Sequence, residues 1–233
     1  MSLETLREEV LDANLELVRR GLVLYTFGNV SGISRSDGLI AIKPSGVPYE
    51  TMKAQDIVIA DLEGRVLEGS LRPSSDLATH VELYKRFPKA GGVAHTHSEF
   101  ATAWAQARRP IPCFGTTHAD YFHGPVPVTP NMTPEEIGSE YEKNTGLVIC
   151  RLFDTLGTDD VQAVLVAGHA PFCWGESPSV ASHHAVILES VARMAYYTVG
   201  IVGDATPISR ELHDKHYLRK HGQNAYYGQV QSK

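Results

Sequence analysis

Two histidines, His95 and His97, stand one residue apart in the stretch GGVAHTHSEF. If that stretch is a strand, alternate side chains share a face about 6.7 Å apart, and both imidazoles lean into the same space. Neutral imidazole binds borderline divalent cations at roughly 2.0–2.1 Å, and a catalytic ion needs a third ligand plus an open position. His169 follows the apolar run AVLVAG and precedes Pro171 by two residues, so it falls where a strand gives way to a loop. His118 and His123, in THADYFHG, compete with it from what reads as a polar loop. His183 and His184 lie inside a helical pattern and read as packing residues. A lone buried histidine is more often a hydrogen-bonded core residue than a ligand. The paired spacing is what points to a metal.

A second chemistry is suggested by three small polar turns, GNVSG (28–32), KPSG (43–46) and PSSD (73–76). Backbone amides in Gly/Ser turns form anion-binding concavities. Ser74 and Ser75 also precede a helix, whose N-terminus favours negative charge. Lys43 adds a cation. Any one of these turns is explained by ordinary cap and turn preferences. Three of them beside an HxH motif point to a phosphate pocket near a metal.

These residues must be positioned by regular elements. Leu3, Leu6, Val10, Leu11, Leu15 and Val18 recur at helical spacing, with Gly21 as a stop. Apolar runs at 39–43, 57–62 and 65–69 read as strands, the last two joined by a hairpin turn in DLEGRV. LATHVELYKRF (77–87) is helical, GGVAHTH a strand, and SEFATAWAQA helical again. Thr133 and Glu136 form a capping box with Pro134 at the first helical position. The segment 161–169 reads as one buried strand and 179–200 as a long helix. Strands interleaved with helices predict a sheet covered by helices, and hairpins beside helical crossovers predict a mixed sheet.

The chain has 233 residues and reads as one domain (1–233), with 229–233 as a flexible tail. Lys plus Arg is 21 and Asp plus Glu 27, so the formal charge of −6 argues against a nucleic-acid partner. No apolar run is long enough for a membrane span, and the start has no leader pattern. Cys113, Cys150 and Cys173 are widely spaced and fit free thiols in a reducing cytoplasm.

Taken in order, GNVSG, KPSG, PSSD, HTHS, GTTHADYF, GHAPFCWG and KHYLRKHGQNAYYGQ resemble the L-ribulose-5-phosphate 4-epimerases of the class II aldolase/epimerase superfamily. The resemblance runs from about Leu6 to Gln229. It implies a three-layer α/β/α domain with a mainly antiparallel sheet, a C4 homotetramer, and active sites at subunit boundaries. It implies interconversion of L-ribulose 5-phosphate and D-xylulose 5-phosphate by a divalent-metal retro-aldol route. His95, His97 and His169 resemble the metal ligands, usually of zinc, with Asp76 beside them; Mn, Co or Ni would suit the same donors. Asn29, Lys43, Ser45, Gly46, Ser74 and Ser75 match the phosphate pocket. Asp120 and Tyr227 match the acid/base pair, with Thr116, Glu142 and His216 as neighbours. Asp120, Thr116 and Glu142 are expected from the adjacent subunit. Without the resemblance, Tyr227 reads as a frayed C-terminal aromatic and Asp120 as a turn carboxylate. The basic run Lys215, His216, Arg219, Lys220 and His221 reads either as a field acting on Tyr227 or as a solvated face. Phe27 stands where the pattern commonly has Trp.

Two other functions fit parts of the pattern. A fuculose-phosphate-type aldolase would share fold, metal and phosphate loops but release its fragments. The aldolases of this superfamily tend to carry Glu where Asp76 stands, which favours the epimerase. A non-catalytic adducin-like interaction module would have no use for three metal-capable histidines.

Overall fold

A computed structural model describes residues 2–158, 160–223 and 225–227. The expected flexible tail, 229–233, lies outside the described residues. Helix α1 (Leu3–Arg19) starts at Ser2, whose side chain accepts from the Thr5 amide. Strands β1 (Asn29–Ser34), β2 (Leu39–Ile42), β3 (Val58–Asp61) and β4 (Val66–Glu68) follow. After α2 (Leu77–Arg86) come β5 (Gly92–His95), α3 (Glu99–Ala107), α4 (Thr116–Ala119), α5 (Pro134–Gly138) and α6 (Tyr141–Leu156). The chain continues through β6 (Ala163–Leu165), β7 (Pro171–Gly175), α7 (Pro178–Ile201) and α8 (Arg210–His221).

The strands form one seven-stranded sheet in the order β4-β3-β2-β1-β5-β7-β6. Its faces follow from the two-residue period of a strand. Ile40, Ile42, Val58, Ala60, Val93, Val164, Phe172 and Trp174 pack with Leu77, Val81 and Tyr84 of α2 and Ile149 and Phe153 of α6. Their alternates Val30, Ala94, Ala163, Leu165 and Cys173 pack with α1, α3 and α7. Ala41, Ile57 and Ile59 cover α1 through Leu6 and Val10. The result is helix, sheet, helix. Each fully buried Val, Ile or Phe contributes about 1.5–3 kcal/mol, and both faces of the central strands are filled.

Several sequence expectations are corrected. All six strand pairings are antiparallel, so the sheet is not mixed. Among the described residues the parallel pairing is confined to the isolated bridge Val128–Leu165. The run 161–169 is not one strand: β6 ends at Leu165, and a turn with Gly168 at φ +74° returns the chain into β7. GNVSG is not a turn either. Asn29 to Gly32 lie in β1, fully buried in the middle of the sheet, because small residues fit between the packed helices. A Cβ on Gly32 would come within 2.6 Å of Pro178. The capping box at Thr133 and Glu136 is present with both of its hydrogen bonds. Among the described residues no helix is long and apolar enough to cross a membrane. Cys113, Cys150 and Cys173 are free and buried.

Candidate metal centre and its surrounding cleft

The start of β1 lies beside the end of β5, because Asn29 pairs with His95 in the antiparallel ladder. His95 also pairs with Phe172 near the start of β7. These ends bring Asn29, His95 and the β6–β7 turn bearing His169 to one edge of the sheet. Gly28 allows the close approach: its φ is +82°, and a Cβ there would sit 2.8 Å from the His95 carbonyl oxygen.

His95, His97 and His169 form a near-equilateral cluster. Their ring centroids are 4.9, 5.0 and 5.0 Å apart. One nitrogen from each falls within 4.8 Å of the others. His95 donates Nδ1–H to the Pro171 carbonyl (2.9 Å), which fixes its tautomer and leaves the Nε2 lone pair free. Phe172 stacks on the same ring at 4.2 Å. His95 Nε2 and His97 Nε2 are 3.1 Å apart, close to the roughly 3.3 Å edge of a tetrahedron with ~2.0–2.1 Å bonds. Burial pushes His169 down to about 4 and lowers His97, so both imidazoles are neutral at pH 7. His169 Nδ1 is buried with no partner among the described residues. Converging imidazoles, one held in orientation by a carbonyl and one with an unpartnered ring nitrogen, are what a divalent cation requires, so the donor set fits one.

Asp76 stands beside the trio, not within it. Its Oδ2 is 4.0 Å from His95 Nε2 and accepts from Asn29 Nδ2 at 2.7 Å. Burial opposes its charge, but His95, His80 and the Asn29 amide hold its carboxyl below the usual carboxylate range. His80, one turn into α2, is fully buried and bonds Ser31, which bonds Tyr84. This buried chain anchors α2 to β1 under the cleft.

All the phosphate-matching residues share a cavity of about 360 Å³ with the three histidines and Asp76. The two loops are tied by backbone bonds, Ser45 N to Arg72 O and Ser74 N to Lys43 O, each 2.9 Å. Those two amides are therefore occupied by the link between the loops. Lys43 folds under its own turn, donating to the Pro44 and Val47 carbonyls at 3.1 Å. Burial lowers its pKa to about 8. Glu142, expected from a neighbouring subunit, lines the cavity of its own chain, as does Tyr141. Both open α6, a helix that the polar, Gly-containing stretch YEKNTG does not advertise. Tyr141 was missed for that reason.

Asp120, Thr116, His216 and Tyr227 do not line this cavity. They form a second cluster where α4 meets α8. Asp120 accepts from Arg219 at 2.7 and 3.1 Å and from His216 at 3.0 Å. Burial opposes its charge, yet Arg219 and His216 hold it below the ordinary range. The Asp120 amide donates to the Thr116 carbonyl at 2.9 Å. Arg219 and Lys220 lie 4.9 and 4.5 Å from the Tyr227 ring centre. The basic run is thus not simply a solvated face, since it grips Asp120. His118, one of the rival ligands, is buried and donates Nε2–H to the Gly124 carbonyl, and it is not among the grouped imidazoles.

This fold and this cleft define a family. The chain belongs to the class II aldolase and adducin N-terminal domain family, whose model matches residues 8–196. Along 97% of its length it is similar to the L-ribulose-5-phosphate 4-epimerase UlaF of Salmonella paratyphi A and that of Salmonella typhi. Each is 52% identical over 227 residues and is covered completely. Among solved structures it is similar to an L-fuculose 1-phosphate aldolase (TM-score 0.76, 26% identity, 91% of this chain and 94% of that one). It is also similar to YgbL from Klebsiella pneumoniae (TM-score 0.74, 26% identity, 92% and 99% covered).

Proposed function

We propose that this protein interconverts L-ribulose 5-phosphate and D-xylulose 5-phosphate by breaking and remaking the C3–C4 bond. The observation that carries the reading is the convergence of three imidazoles with Lys43 and the serine turns in one cavity. Near-full-length similarity to enzymes of that name supports it.

The C4 hydrogen of such a ketose is not adjacent to the C2 carbonyl, so enolisation alone cannot invert C4. Cleavage lets the carbonyl accept the bonding electrons. A divalent cation held by His95, His97 and His169 supplies Lewis-acid stabilisation of the developing oxygen charge. Zinc suits that donor set best, and manganese, cobalt and nickel also fit it. Lys43 and the hydroxyls of Ser45, Ser74 and Ser75 bind the phosphate, so the two-carbon aldehyde can turn over without escaping. Holding two fragments together is worth up to about 7–11 kcal/mol in favourable cases. Asn29 Oδ1 is buried without a partner among the described residues and is the acceptor for a substrate hydroxyl.

The Lys43 charge gives a pH dependence. Its pKa of about 8 means the ammonium is present below that pH and lost above it. KM for the phosphorylated substrate is expected to rise as pH passes through 8, with no such rise for an unphosphorylated analogue. Equal profiles for both would remove Lys43 from phosphate binding.

Asp76 is short and tied down by Asn29. Asp76→Glu moves a carboxylate about one methylene closer to the carbanionic carbon and is expected to increase release of glycolaldehyde phosphate. Coupled detection of free aldehyde reads this directly, and an unchanged leak rate would count against the aldolase–epimerase distinction drawn from residue 76.

Asp120 and Tyr227 serve as the proton-transfer pair. Because Arg219 touches both, one subunit delivers them together to a neighbour's cleft, instead of Asp120 alone. Tyr227→Phe is expected to lower kcat by about 10²–10⁴-fold, the usual worth of a positioned acid or base, with normal metal content. Unaltered kcat would dismiss Tyr227. A C4 homotetramer accommodates this exchange. The exposed Leu24, Tyr25 and Phe27 before β1, the last of them lining the cleft, and Tyr196, Tyr197 and Ile201 on α7 supply apolar surface for its interfaces. The free buried thiols accord with a cytoplasmic location.

The deciding experiment is incubation with L-ribulose 5-phosphate and a divalent metal, followed by product analysis. D-Xylulose 5-phosphate supports the epimerase. Cleaved fragments would make it an aldolase, and no reaction in a metal-loaded sample would favour the interaction module.

A further inference from the structure

A second group of metal-capable side chains lies away from the cleft. His123 follows α4, and His213 and Asp214 lie in the first turns of α8. One donor atom from each falls within 4.8 Å of the others, and all three are half-buried. We propose that His123, His213 and Asp214 bind a second divalent cation, of the zinc class, which fastens α8 to the body of the domain.

The surroundings of both rings carry the argument. A metal-bound imidazole places its other nitrogen on a carboxylate or a backbone carbonyl. His213 Nε2 donates to the Phe122 carbonyl at 3.0 Å, which leaves Nδ1 with the lone pair. His123 Nε2 is 2.8 Å from Asp214 Oδ1, while its Nδ1 is 3.5 Å from Asp160 Oδ1. An ion at Nε2 requires the Nδ1–H tautomer, and Asp160 is the acceptor for that proton. The His123 and His213 rings are 4.9 Å apart, and Tyr217 stacks on His123 at 4.6 Å, which restricts its rotation. A simple hydrogen-bonded pair accounts for His123 and Asp214. It does not account for His213 joining them with its lone pair unspent, or for the carboxylate behind His123. Two nitrogens and one carboxylate oxygen suit a four-coordinate zinc-class ion completed by water. His123 and Asp160 border an open cleft of about 350 Å³, which gives the ion a route in.

The site also answers a structural need. No side chain of helix α8 is fully buried, and its attachment rests on polar contacts and the stacking of Tyr217 on His123. A cation bridging His123 to His213 and Asp214 would fix the first turns of the helix whose later turns hold Asp120. The ion is therefore structural and takes no part in bond breaking.

Equilibrium dialysis against micromolar free zinc, read by elemental analysis, tests this. The intact protein is expected to hold about two zinc ions per chain, and His95→Ala/His97→Ala about one. Adding His123→Gln and Asp214→Asn to that variant is expected to abolish the remaining zinc and its effect on Tm. Should those changes disturb folding, Asp160→Asn alters only the residue behind His123 and is expected to weaken zinc binding at this site about 10–100-fold. The proposal is overturned if the His95/His97 variant retains no zinc, if zinc persists after His123→Gln and Asp214→Asn, or if Asp160→Asn binds as tightly as its parent.

Discussion

Replacing His97 with Asn is expected to lower kcat/KM by more than about 100-fold, because losing even an outer-shell partner of a bound metal costs 10–100-fold. His97 and His95 present their Nε2 atoms 3.1 Å apart, and His169 closes the triangle. Asn is shorter, and its amide oxygen is a poorer donor than a neutral imidazole for a borderline cation. The remaining two imidazoles then hold the ion weakly. The fold should be unaffected, since His97 lies beyond the end of β5 and outside the packed core. Metal analysis and kinetics on the same sample check the result. Full activity in a variant that has lost its metal would refute a role for the ion in the reaction.

Gly92→Ala is expected to destabilise the protein by roughly 3 kcal/mol, an overpacking cost that the backbone cannot relieve. A Cβ on Gly92 would lie 2.4 Å from the Ser177 carbonyl oxygen and 2.5 Å from the Pro178 nitrogen. Those atoms belong to the turn that launches α7, the longest helix, and the turn cannot swing aside as a side chain would. For a chain of this size the change corresponds to a Tm lower by about 6–12 °C. Gly138→Ala, with nothing within 4 Å of its Cβ, is the control and should change little. A Gly92→Ala melting curve superimposed on the parent's would mean that β5 and α7 pack less closely than described.

The ease of reading each part from the sequence follows from its physics. Strands β2, β3 and β5 were legible as short apolar runs, because strands buried on both faces need apolar side chains in both directions; β1 and β7 were not legible as strands. The direction of their partner strands was not legible. Pairing depends on contacts far apart in sequence, so hairpin and crossover signals gave a mixed sheet where an antiparallel one exists. GNVSG misled because small polar residues mark turns when exposed, yet also fill a strand crossed by two helices. The HxH motif pointed to the trio because alternate residues share a face, although β5 itself ends at His95 and His97 follows just beyond it. His169 stood out by its place at a strand end before Pro171, although the turn begins earlier, after Leu165. Resemblance alone singled out Asp120 and Tyr227, and their meeting at Arg219 depends on α8, whose polar sequence carries no amphipathic signal. The same polarity hid the cluster at His123, His213 and Asp214.

The imidazole trio hangs from interior strands and one tight turn, whereas Lys43, Ser45 and Ser74 ride on two loops laced together outside the sheet. If the loops read a substrate's tail as proposed, selection can lengthen, shorten or recharge them without disturbing the imidazole trio. A scaffold partitioned in this way can diversify its clientele by editing its periphery while its reactive heart is inherited intact.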